Sequence, residues 1–395
     1  MIISATTFLF ILPSGLHESH QRKKLQNSKS PHIINDINHH AASFFYIQSQ
    51  QQKEQKKINE RKAFYKSEDI PTSQRNNEPV LQLLCRQGHL EKALHMLRED
   101  MSTPLTTSTY LSILKECIKK KSSSGTRTVY AHITYHKLDL NLNATLGDYL
   151  VMALARCREL DEAHALAETL SSLTVYSWTA LISAYAEYGR GNESLYFYQR
   201  MLDDGMHPDK YTFVGLFRAC GSVRDLSQGK RLHSEARLKG YCDDVFVCNS
   251  IISMYGKCRD IKEAEEVFCT MIRHDVISWN AMLSGYIEIE QGARALQLLR
   301  QMYKEGWDAN NHTCVIALQA CSLLADEEES VVVEGKPKKV MSEEICQALH
   351  AVARTRRFGS NAFIGSSLIN LYGKCANIGY AHHAFGQVSH HDVVS

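Results

Sequence analysis

The stretch VYSWTALISAYAEYGRGNESLYFYQRMLDDGMHPD at residues 175–209 decides the fold of this chain. Its apolar residues recur at intervals of three and four, which predicts two amphipathic helices. Gly189 separates the helices because glycine adopts a positive φ at little cost, and Asn192 is a candidate N-cap of the second helix. Pro208 ends the unit, since a proline cannot continue a helix. The stretch therefore predicts a helix–turn–helix hairpin.

The same pattern returns 101 residues later. The recurrence is seen in three pairs of residues: Trp178 and Trp279, Tyr185 and Tyr286, Cys220 and Cys321. The period divides into units of 35, 35 and 31 residues, which start at residues 175, 210 and 245. Self-similarity at a fixed period indicates a repeat array, in which each unit buries its apolar face against the next. No alternating strand pattern occurs, so the predicted fold class is all-α, a solenoid of antiparallel helix-turn-helix repeats.

The leader at residues 1–73 differs in composition from the rest of the chain. It contains QSQQQKEQKK and similar polar runs that cannot bury apolar surface, which predicts disorder. Basic and amide residues dominate there, and acidic residues are few before Glu54, as is typical of an organellar transit region. We expect a plastid or mitochondrial protein, with the plastid slightly favoured; a leader without a targeting function is the alternative. No run of 18 apolar residues occurs, so no membrane span is predicted.

Charge and cysteine spacing exclude several classes of protein. The net charge of +2 is unlike the strongly basic face of a general DNA-binding protein. Twelve cysteines are present but no Cys-x-x-Cys motif, which excludes zinc ribbons and thioredoxin-type redox sites. Cys157, Cys258 and Cys375 occupy one equivalent position in successive units, and Cys220 and Cys321 another. This recurrence predicts small buried residues, and we expect no metal site and no cofactor.

The units resemble the pentatricopeptide repeat (PPR) family, in its plant subclass with alternating P, L and S motifs. VYSWTALISAYAEYGR at 175–190 resembles the P motif, YTFVGLFRACGSVRDLSQGKRLHSEARLKG at 211–240 the L motif, and DVFVCNSIISMYGKCRDIKEAEEVF at 244–268 the S motif. The resemblance covers residues from about 74 to the end of the chain. It implies a right-handed superhelical solenoid that binds single-stranded RNA at about one base per repeat. The tetratricopeptide repeat is the nearest alternative, but its spacing and signature residues are absent.

On this resemblance the chain divides into a series of repeats. They are a degenerate repeat at 74–106, L-type repeats at 107–143, 210–244 and 311–361, S-type repeats at 144–174, 245–275 and 362–392, P-type repeats at 175–209 and 276–310, and the start of a truncated P-type repeat at 393–395. The third L-type repeat is longer, because His233 and His350 are 117 residues apart. We therefore expect an inserted solvated loop at about 325–340. The incomplete last repeat predicts that the chain is a fragment or truncated form.

Polar residues recur at two positions of these units. The fifth residue lies in the first turn of the first helix, and the last residue precedes the next first helix, so both are expected on the concave face. The resulting candidate RNA-binding residues are Thr179 with Asp209, Asn249 with Asp275, Asn280 with Asn310, and Ser366 with Asp392. A polar side chain there can hydrogen-bond a base edge. The same residue types favour helix N-termini as caps, so capping is the alternative for each of them.

The family's pairing rule implies a base for each pair. Thr or Ser with Asp implies G, Asn with Asp implies U, and Asn with Asn implies C more than U. Val214 and Val315 of the L-type repeats cannot hydrogen-bond a base through the side chain, and Asp148 with Thr174 fits no pairing. The implied target reads, from 5′ to 3′, G, any base, U, a pyrimidine, any base, G.

We expect a sequence-specific organellar RNA-binding protein that marks a transcript site for RNA editing or other processing. Editing or processing factors are the expected partners, and neither catalysis nor a small-molecule substrate is expected. One alternative is a protein-interaction scaffold that grips a peptide. Another is a C-to-U editing deaminase without its catalytic domain, which would need His-x-Glu plus Cys-x-x-Cys around zinc. His233-Ser234-Glu235 matches only the first half, within an L-type helix.

Overall fold

The computed structural model of the chain describes residues 77–100, 103–333, 336–356 and 361–387. These residues form eighteen α-helices, one 3-10 turn at Tyr241–Asp243 and two short β-strands. The fold is all-α, as the sequence predicts. The leader at residues 1–73 and the end of the chain from residue 388 lie outside the described residues.

The helices follow one another as nine hairpins within the described residues. They are α1 (Glu78–Arg86) with α2 (Leu90–Glu99), α3 (Thr107–Lys120) with α4 (Ser123–Tyr135), α5 (Ala144–Arg156) with α6 (Leu160–Thr169), α7 (Val175–Glu187) with α8 (Gly191–Asp203), α9 (Lys210–Val223) with α10 (Leu226–Leu238), α11 (Val245–Lys257) with α12 (Ile261–Thr270), α13 (Val276–Glu288) with α14 (Gly292–Lys304), α15 (Asn311–Glu327) with α16 (Val340–Thr355), and α17 (Ala362–Lys374) with α18 (Ile378–Gln387).

The hairpins stack in chain order. Each first helix packs against the first helix of the next hairpin, from α1 through α17. Each second helix packs against its own first helix and against the first helix that follows it. The first helices therefore form one continuous layer, as expected of a helical solenoid. Because every hairpin contributes the N-terminus of a first helix to this layer, equivalent residues of successive units come into a row.

Aromatic side chains pack between the two helices of one hairpin and also between adjacent hairpins. Trp178 of α7 packs against Phe197 of α8, with ring centroids 6.2 Å apart. Trp279 of α13, which is 1% exposed, meets Phe268 of α12 edge-on at 5.0 Å. Burial of such rings supplies a large share of the free energy of folding.

Glycines shape the turn inside the first P-type hairpin. Gly189 has a φ of +74°, as its position predicts. The predicted N-cap Asn192 is wrong, because α8 begins at Gly191 and Arg190 precedes it as the capping residue. Gly191 lies so close to α9 that a Cβ there would be 2.4 Å from Ser222 Oγ and 2.8 Å from the Ala219 carbonyl oxygen. The helix start is therefore fixed by close approach to the next hairpin rather than by a capping side chain.

The predicted loop at about 325–340 is more ordered than the sequence suggests. Helix α15 continues to Glu327, and two strands follow, β1 (Val331–Val333) and β2 (Lys336–Lys338), paired antiparallel. Glu328 accepts hydrogen bonds from the backbone N–H groups of Met341 (2.8 Å) and Ser342 (2.9 Å), which anchors the insertion to the start of α16. β-branched residues at 331–333 favour the strand.

All twelve cysteines are free of disulfides, and Cys157, Cys220, Cys321 and Cys375 are buried as predicted. Cys258 is only partly buried. Burial raises the pKa of Cys220 to about 12, which keeps this thiol protonated and unreactive. Among the described helices, none combines the length and apolar character that crossing a membrane would require.

Candidate nucleic-acid interface

The side chains of Asn249 and Asp275 meet where α11 passes α13. Asn249 lies in the first turn of α11, and Asp275 is the N-cap residue of α13. Asn249 Nδ2 donates a hydrogen bond to Asp275 Oδ1 at 3.1 Å. Asp275 Oδ1 also accepts from the Ser278 N–H (2.8 Å) and the Ser278 hydroxyl (3.0 Å), which closes a capping box. The last residue of one unit thus caps the next first helix and holds the fifth residue.

Asn249 has one hydrogen-bonding group without a protein partner. Its side chain is 5% exposed, and its Oδ1 atom is buried without a hydrogen bond among the described residues. An unpaired buried acceptor costs about 1–3 kcal/mol, which a donor from a ligand would recover. Asn249 therefore keeps an unsatisfied acceptor, and this atom is almost completely covered in the structure.

Asn280 and Asn310 form the equivalent pair between α13 and α15. Asn280 Nδ2 donates to Asn310 Oδ1 at 3.4 Å. The Thr313 hydroxyl lies within hydrogen-bond distance of Asn280 Oδ1 (2.8 Å) and Asn310 Oδ1 (3.0 Å). It carries one hydrogen, and the shorter distance favours donation to Asn280. The amide oxygen of Asn280 is therefore occupied, and the second N–H of its amide is the group left for a ligand.

Thr179 and Asp209 are linked through a third residue, Thr212. The Thr212 hydroxyl donates to Asp209 Oδ1 at 2.8 Å, and the hydroxyl oxygens of Thr179 and Thr212 are 2.7 Å apart. A hydroxyl has one hydrogen, so Thr179 must be the donor to Thr212. The Thr179 oxygen is consequently left with acceptor capacity alone.

The fourth predicted pair is described only in part. The Ser366 hydroxyl donates to the Ala362 carbonyl oxygen at 2.9 Å, within its own helix. Asp392 lies outside the described residues. In the upstream S-type unit, the Thr174 hydroxyl donates to Asp148 Oδ2 at 2.7 Å. The fifth and last residues are thus joined directly at three of the described junctions and through Thr212 at a fourth. Each pair leaves a different set of hydrogen-bonding groups uncommitted.

A row of exposed side chains runs beside these pairs, and sequence reasoning missed it. The row consists of the second residue of each first helix. In five first helices this residue is a large apolar or aromatic side chain that is at least half exposed: Tyr176, Tyr211, Phe246, Ile277 and Phe363. In a sequence, an apolar residue at the start of a helix is usually interpreted as a core residue or as part of a hydrophobic staple. The signal that could have found the row is its fixed position, three residues before the fifth residue of every unit. Exposed aromatic faces of this kind stack nucleic-acid bases.

A lysine stands beside one of these rings. Lys210 Nζ lies 5.2 Å from the centroid of the Tyr211 ring and 2.7 Å from Asp244 Oδ2. The hydrogen bond from Lys210 lowers the pKa of the Asp244 carboxyl, against the opposing effect of partial burial. Asp244 is in turn the N-cap of α11, so this ion pair orders the start of the helix that carries Asn249.

The His-x-Glu triplet at 233–235 has a structural environment. His233 Nδ1 lies 2.9 Å from the Tyr255 hydroxyl, with which it shares a hydrogen bond. Burial lowers the pKa of His233. Within the described ranges, no group of three or more His, Cys, Asp or Glu side chains could hold a metal ion.

Comparison with known proteins identifies the repeats. The PPR repeat family model matches residues 173–222 and 274–322, and a PPR repeat model matches residues 246–276. A chloroplastic pentatricopeptide repeat-containing protein of Arabidopsis thaliana is 30% identical over 79% of this chain and 34% of its own length. A second chloroplastic one is 28% identical (80% of this chain, 49% of that protein), and a mitochondrial one is 30% identical (80% and 47%).

The chain spans between a third and a half of the length of these relatives. Among solved structures, maize PPR10 in complex with an 18-nucleotide psaJ RNA element is 16% identical, with a TM-score of 0.43 over 85% of this chain and 61% of that one. The matched segments cover α7 to α9, α11 to α12 and α13 to α15, where three of the four predicted pairs lie. Three segments of the chain therefore match models of the PPR repeat.

Proposed function

We propose that this protein binds single-stranded RNA in a plastid or mitochondrion and marks a site for RNA editing or another processing step. Each P- or S-type repeat of the plant P, L and S subclass reads one base through its fifth and last residues. The observation that carries the proposal is the recurring pair at the layer of first helices, each pair with a different uncommitted group. The protein supplies recognition, and its partners supply the chemistry.

The uncommitted groups support the proposed bases. Thr179 offers an acceptor, which complements the N1–H and N2–H donors on the Watson–Crick edge of G. Asn249 keeps an unpaired amide oxygen beside its second N–H, which complements the N3–H donor and the carbonyl acceptors of U. Asn280 keeps only an N–H donor, which suits the N3 and O2 acceptors of C.

The exposed second-position side chains support the same binding mode. Tyr176, Tyr211 and Phe246 stand at the starts of successive first helices, one beside each base position. Stacking on such rings contributes about 1–3 kcal/mol per base and does not depend on the base. Stacking would thus supply affinity, while the paired polar residues supply selection.

A binding assay with designed RNAs tests this function. One RNA carries G-N-U-C-N-G, and a matched RNA of the same length has purines and pyrimidines exchanged at the four specified positions. We expect the first to bind at least tenfold more tightly, since each well-matched base contributes about 1 kcal/mol or more. Equal binding of both RNAs would overturn base reading. Binding of a peptide library without RNA binding would favour the scaffold alternative.

Location and partners rest on the relatives. These relatives are named as chloroplastic or mitochondrial proteins, which supports an organellar setting. Co-purification of organellar transcripts with the tagged full chain tests this proposal, and sequencing the bound RNAs should return the proposed pattern. Recovery of cytosolic messenger RNA alone would overturn the organellar assignment.

A further inference from the structure

Two histidines lie one turn apart at the C-terminal end of α4. His132 is 0% exposed, and His136, the residue that follows the helix as its C-cap, is half-buried. The His136 N–H donates to the His132 carbonyl oxygen at 3.2 Å, so the two residues keep helical spacing and lie on one face of α4. The centroids of their rings are 4.6 Å apart. The fold therefore brings two imidazoles into contact.

Each of these imidazoles has a nitrogen atom without a partner. The Nε2 atoms of His132 and His136 are both buried, and neither has a hydrogen bond among the described residues. No other histidine nitrogen in the described part of the chain is both buried and unpaired. A buried polar atom without a partner is costly, and a ligand that binds both nitrogens would remove the cost for the two rings together.

Tyr110 of α3 holds the other ring nitrogen of His132. The Tyr110 hydroxyl lies 2.8 Å from His132 Nδ1, and it also accepts a hydrogen bond from the Leu105 N–H at 3.3 Å. When the ring donates from Nδ1 to this hydroxyl, Nε2 carries a lone pair. A hydrogen bond at one ring nitrogen is the usual means by which proteins orient a histidine whose other nitrogen binds a metal ion.

The pair of histidines is absent from the other two L-type repeats. His233 and His350 are the equivalents of the first histidine, and each shares a hydrogen bond through Nδ1 with a tyrosine of the following hairpin. Four residues later these repeats have Arg237 and Arg354, where the first L-type repeat has His136. A guanidinium at this position repels a second cation, whereas a neutral imidazole can bind one.

The surroundings of the pair favour a cation. Both histidines lie at the C-terminal end of α4, where the last carbonyl groups of the helix carry partial negative charge. Burial lowers the pKa of His132, the His136 imidazole lowers it further, and Asp100, which directly follows α2, opposes both effects. The His132 imidazole is therefore uncharged at neutral pH, which is the form that binds a metal ion.

The separation of the rings fits a single metal ion. Nitrogen ligands lie about 2.0–2.1 Å from zinc, and the centre of an imidazole is about 1.1 Å farther away. Two imidazoles on one ion, at an angle of about 90–110°, thus have centroids roughly 4.5–5.2 Å apart. The 4.6 Å between His132 and His136 lies in this range. Histidines four residues apart on one helix face are a known arrangement for zinc ligands.

We propose that His132 and His136 bind one divalent transition-metal ion of the class that prefers imidazole, such as Zn²⁺, through their Nε2 atoms. In the part of the chain that the structure describes, no third His, Cys, Asp or Glu is placed to join them, so water fills the other positions. Two protein ligands make this an exchangeable site rather than a permanent structural one. The ion stabilises the first L-type hairpin, and its binding does not depend on the proposed binding of RNA.

Hydrogen–deuterium exchange of the full chain tests the site, because it reports on individual segments. We expect Zn²⁺ to slow exchange severalfold at residues 123–136. Mg²⁺ at the same concentration should have no effect, because it prefers oxygen ligands. His136→Arg introduces the residue of the other two L-type repeats and should abolish the protection by Zn²⁺. Equal protection in this variant, or no protection of the wild type, would overturn the proposal.

Zinc titration by calorimetry is an independent measurement. The chain has 19 histidines, so zinc bound elsewhere must be subtracted. The wild type should bind one more equivalent of Zn²⁺ than His136→Arg, and an equal number in both would overturn the proposal. His95→Gln removes an exposed histidine of α2 and should bind as many equivalents as the wild type. Thermal unfolding without metal checks that each variant is folded.

Tyr110→Phe tests how His132 is oriented. The change removes the hydroxyl that bonds to Nδ1, and we expect the affinity of the site for Zn²⁺ to fall about tenfold. A purely structural role of Tyr110 would lower the thermal midpoint and leave this affinity unchanged, which would overturn its positioning role.

Discussion

Asn249 and Asn280 occupy the same position in consecutive hairpins, and each side chain is 5% exposed. Asn249 keeps an unpaired amide oxygen, whereas the amide oxygen of Asn280 accepts a hydrogen bond from Thr313. At the first junction the corresponding hydroxyl, that of Ser278, donates to Asp275 alone. The comparison teaches that the fifth residue does not by itself define what is offered to a ligand. The capping residue and the residue three positions after it decide which atoms remain.

The largest expected effect comes from the buried core that the two junctions share. Trp279→Ala removes a buried ring of α13, the helix shared by the two junctions, that packs on Phe268 of α12. We expect a loss of about 3–5 kcal/mol in the free energy of unfolding, measured by urea denaturation, and loss of base preference at both positions. Tyr176→Ala removes an exposed ring (73% exposed) and should change stability by no more than about 0.5 kcal/mol. Similar losses in both variants would contradict this account of the core.

Removal of the capping residue should destabilise the two junctions to different extents. Asp275→Ala deletes the acceptor for the Ser278 N–H, the Ser278 hydroxyl and Asn249. We expect a cost of about 1–2 kcal/mol in the free energy of unfolding, because a cap and a buried partner are lost together. Asn310→Ala removes a cap whose side chain is more exposed and should cost less. An equal or larger loss for Asn310→Ala would argue that Asp275 is only a helix cap.

A reciprocal exchange tests base selection directly. Asp275→Asn gives the first junction the Asn–Asn pair of the second, and Asn310→Asp makes the opposite change. We expect the preference at the first base to move from U toward C and that at the second from C toward U. The expected change is about three- to tenfold in the ratio of the two affinities. The measurement is competition binding of RNAs that differ at one base. Unchanged affinity ratios in both variants would show that the pairing rule does not apply to this chain.

Exchange of the fifth residue is the complementary change. Asn249→Thr replaces the amide by the hydroxyl found at Thr179, and the preference at that base should move from U toward G. A variant that keeps its preference would indicate that Asn249 serves the helix N-terminus alone.

The smallest expected effect is the response to pH. Tyr255 of α11 is hydrogen-bonded to His233, whereas the equivalent Tyr286 of α13 donates to Glu265 Oε1 at 2.6 Å. Burial lowers the pKa of His233 below its ordinary 6.5, so as the pH falls through 6.5 the unfolded chain binds a proton more readily than the folded chain. Stability is therefore full above about pH 7 and falls as the pH drops through 6.5 toward the lowered pKa.

Thermal unfolding between pH 7.5 and 5 checks the sign and the source of this effect. The wild-type midpoint should fall on acidification, and the His233→Gln variant should lose part of that dependence. An identical pH profile in the variant would show that His233 does not contribute. A midpoint that rises on acidification would contradict the direction of the pKa shift.

The insertion in the third L-type repeat contains structure that sequence periodicity does not predict. The 117-residue spacing of His233 and His350, against the 101-residue period, predicts an insertion at about 325–340. It does not predict the two strands, because a three-residue ladder depends on the pairing of Val331 with Lys338 and not on a periodic pattern. Gly191 is a second case, since its role depends on Ser222 of the next hairpin.

The sequence by itself determined the helical hairpins, their order and the spacing of the recurring polar pairs. These depend on interactions within about 35 residues: apolar periodicity, glycine at positive φ and the capping chemistry of Asp and Asn. The tertiary structure decided which atoms of Asn249 and Asn280 stay uncommitted and which aromatic rings remain exposed. The physical reason is that each of these properties arises between helices of different hairpins. Single-residue propensities describe a helix and its ends, whereas the groups left available to a ligand are set by what the neighbouring helices already bind.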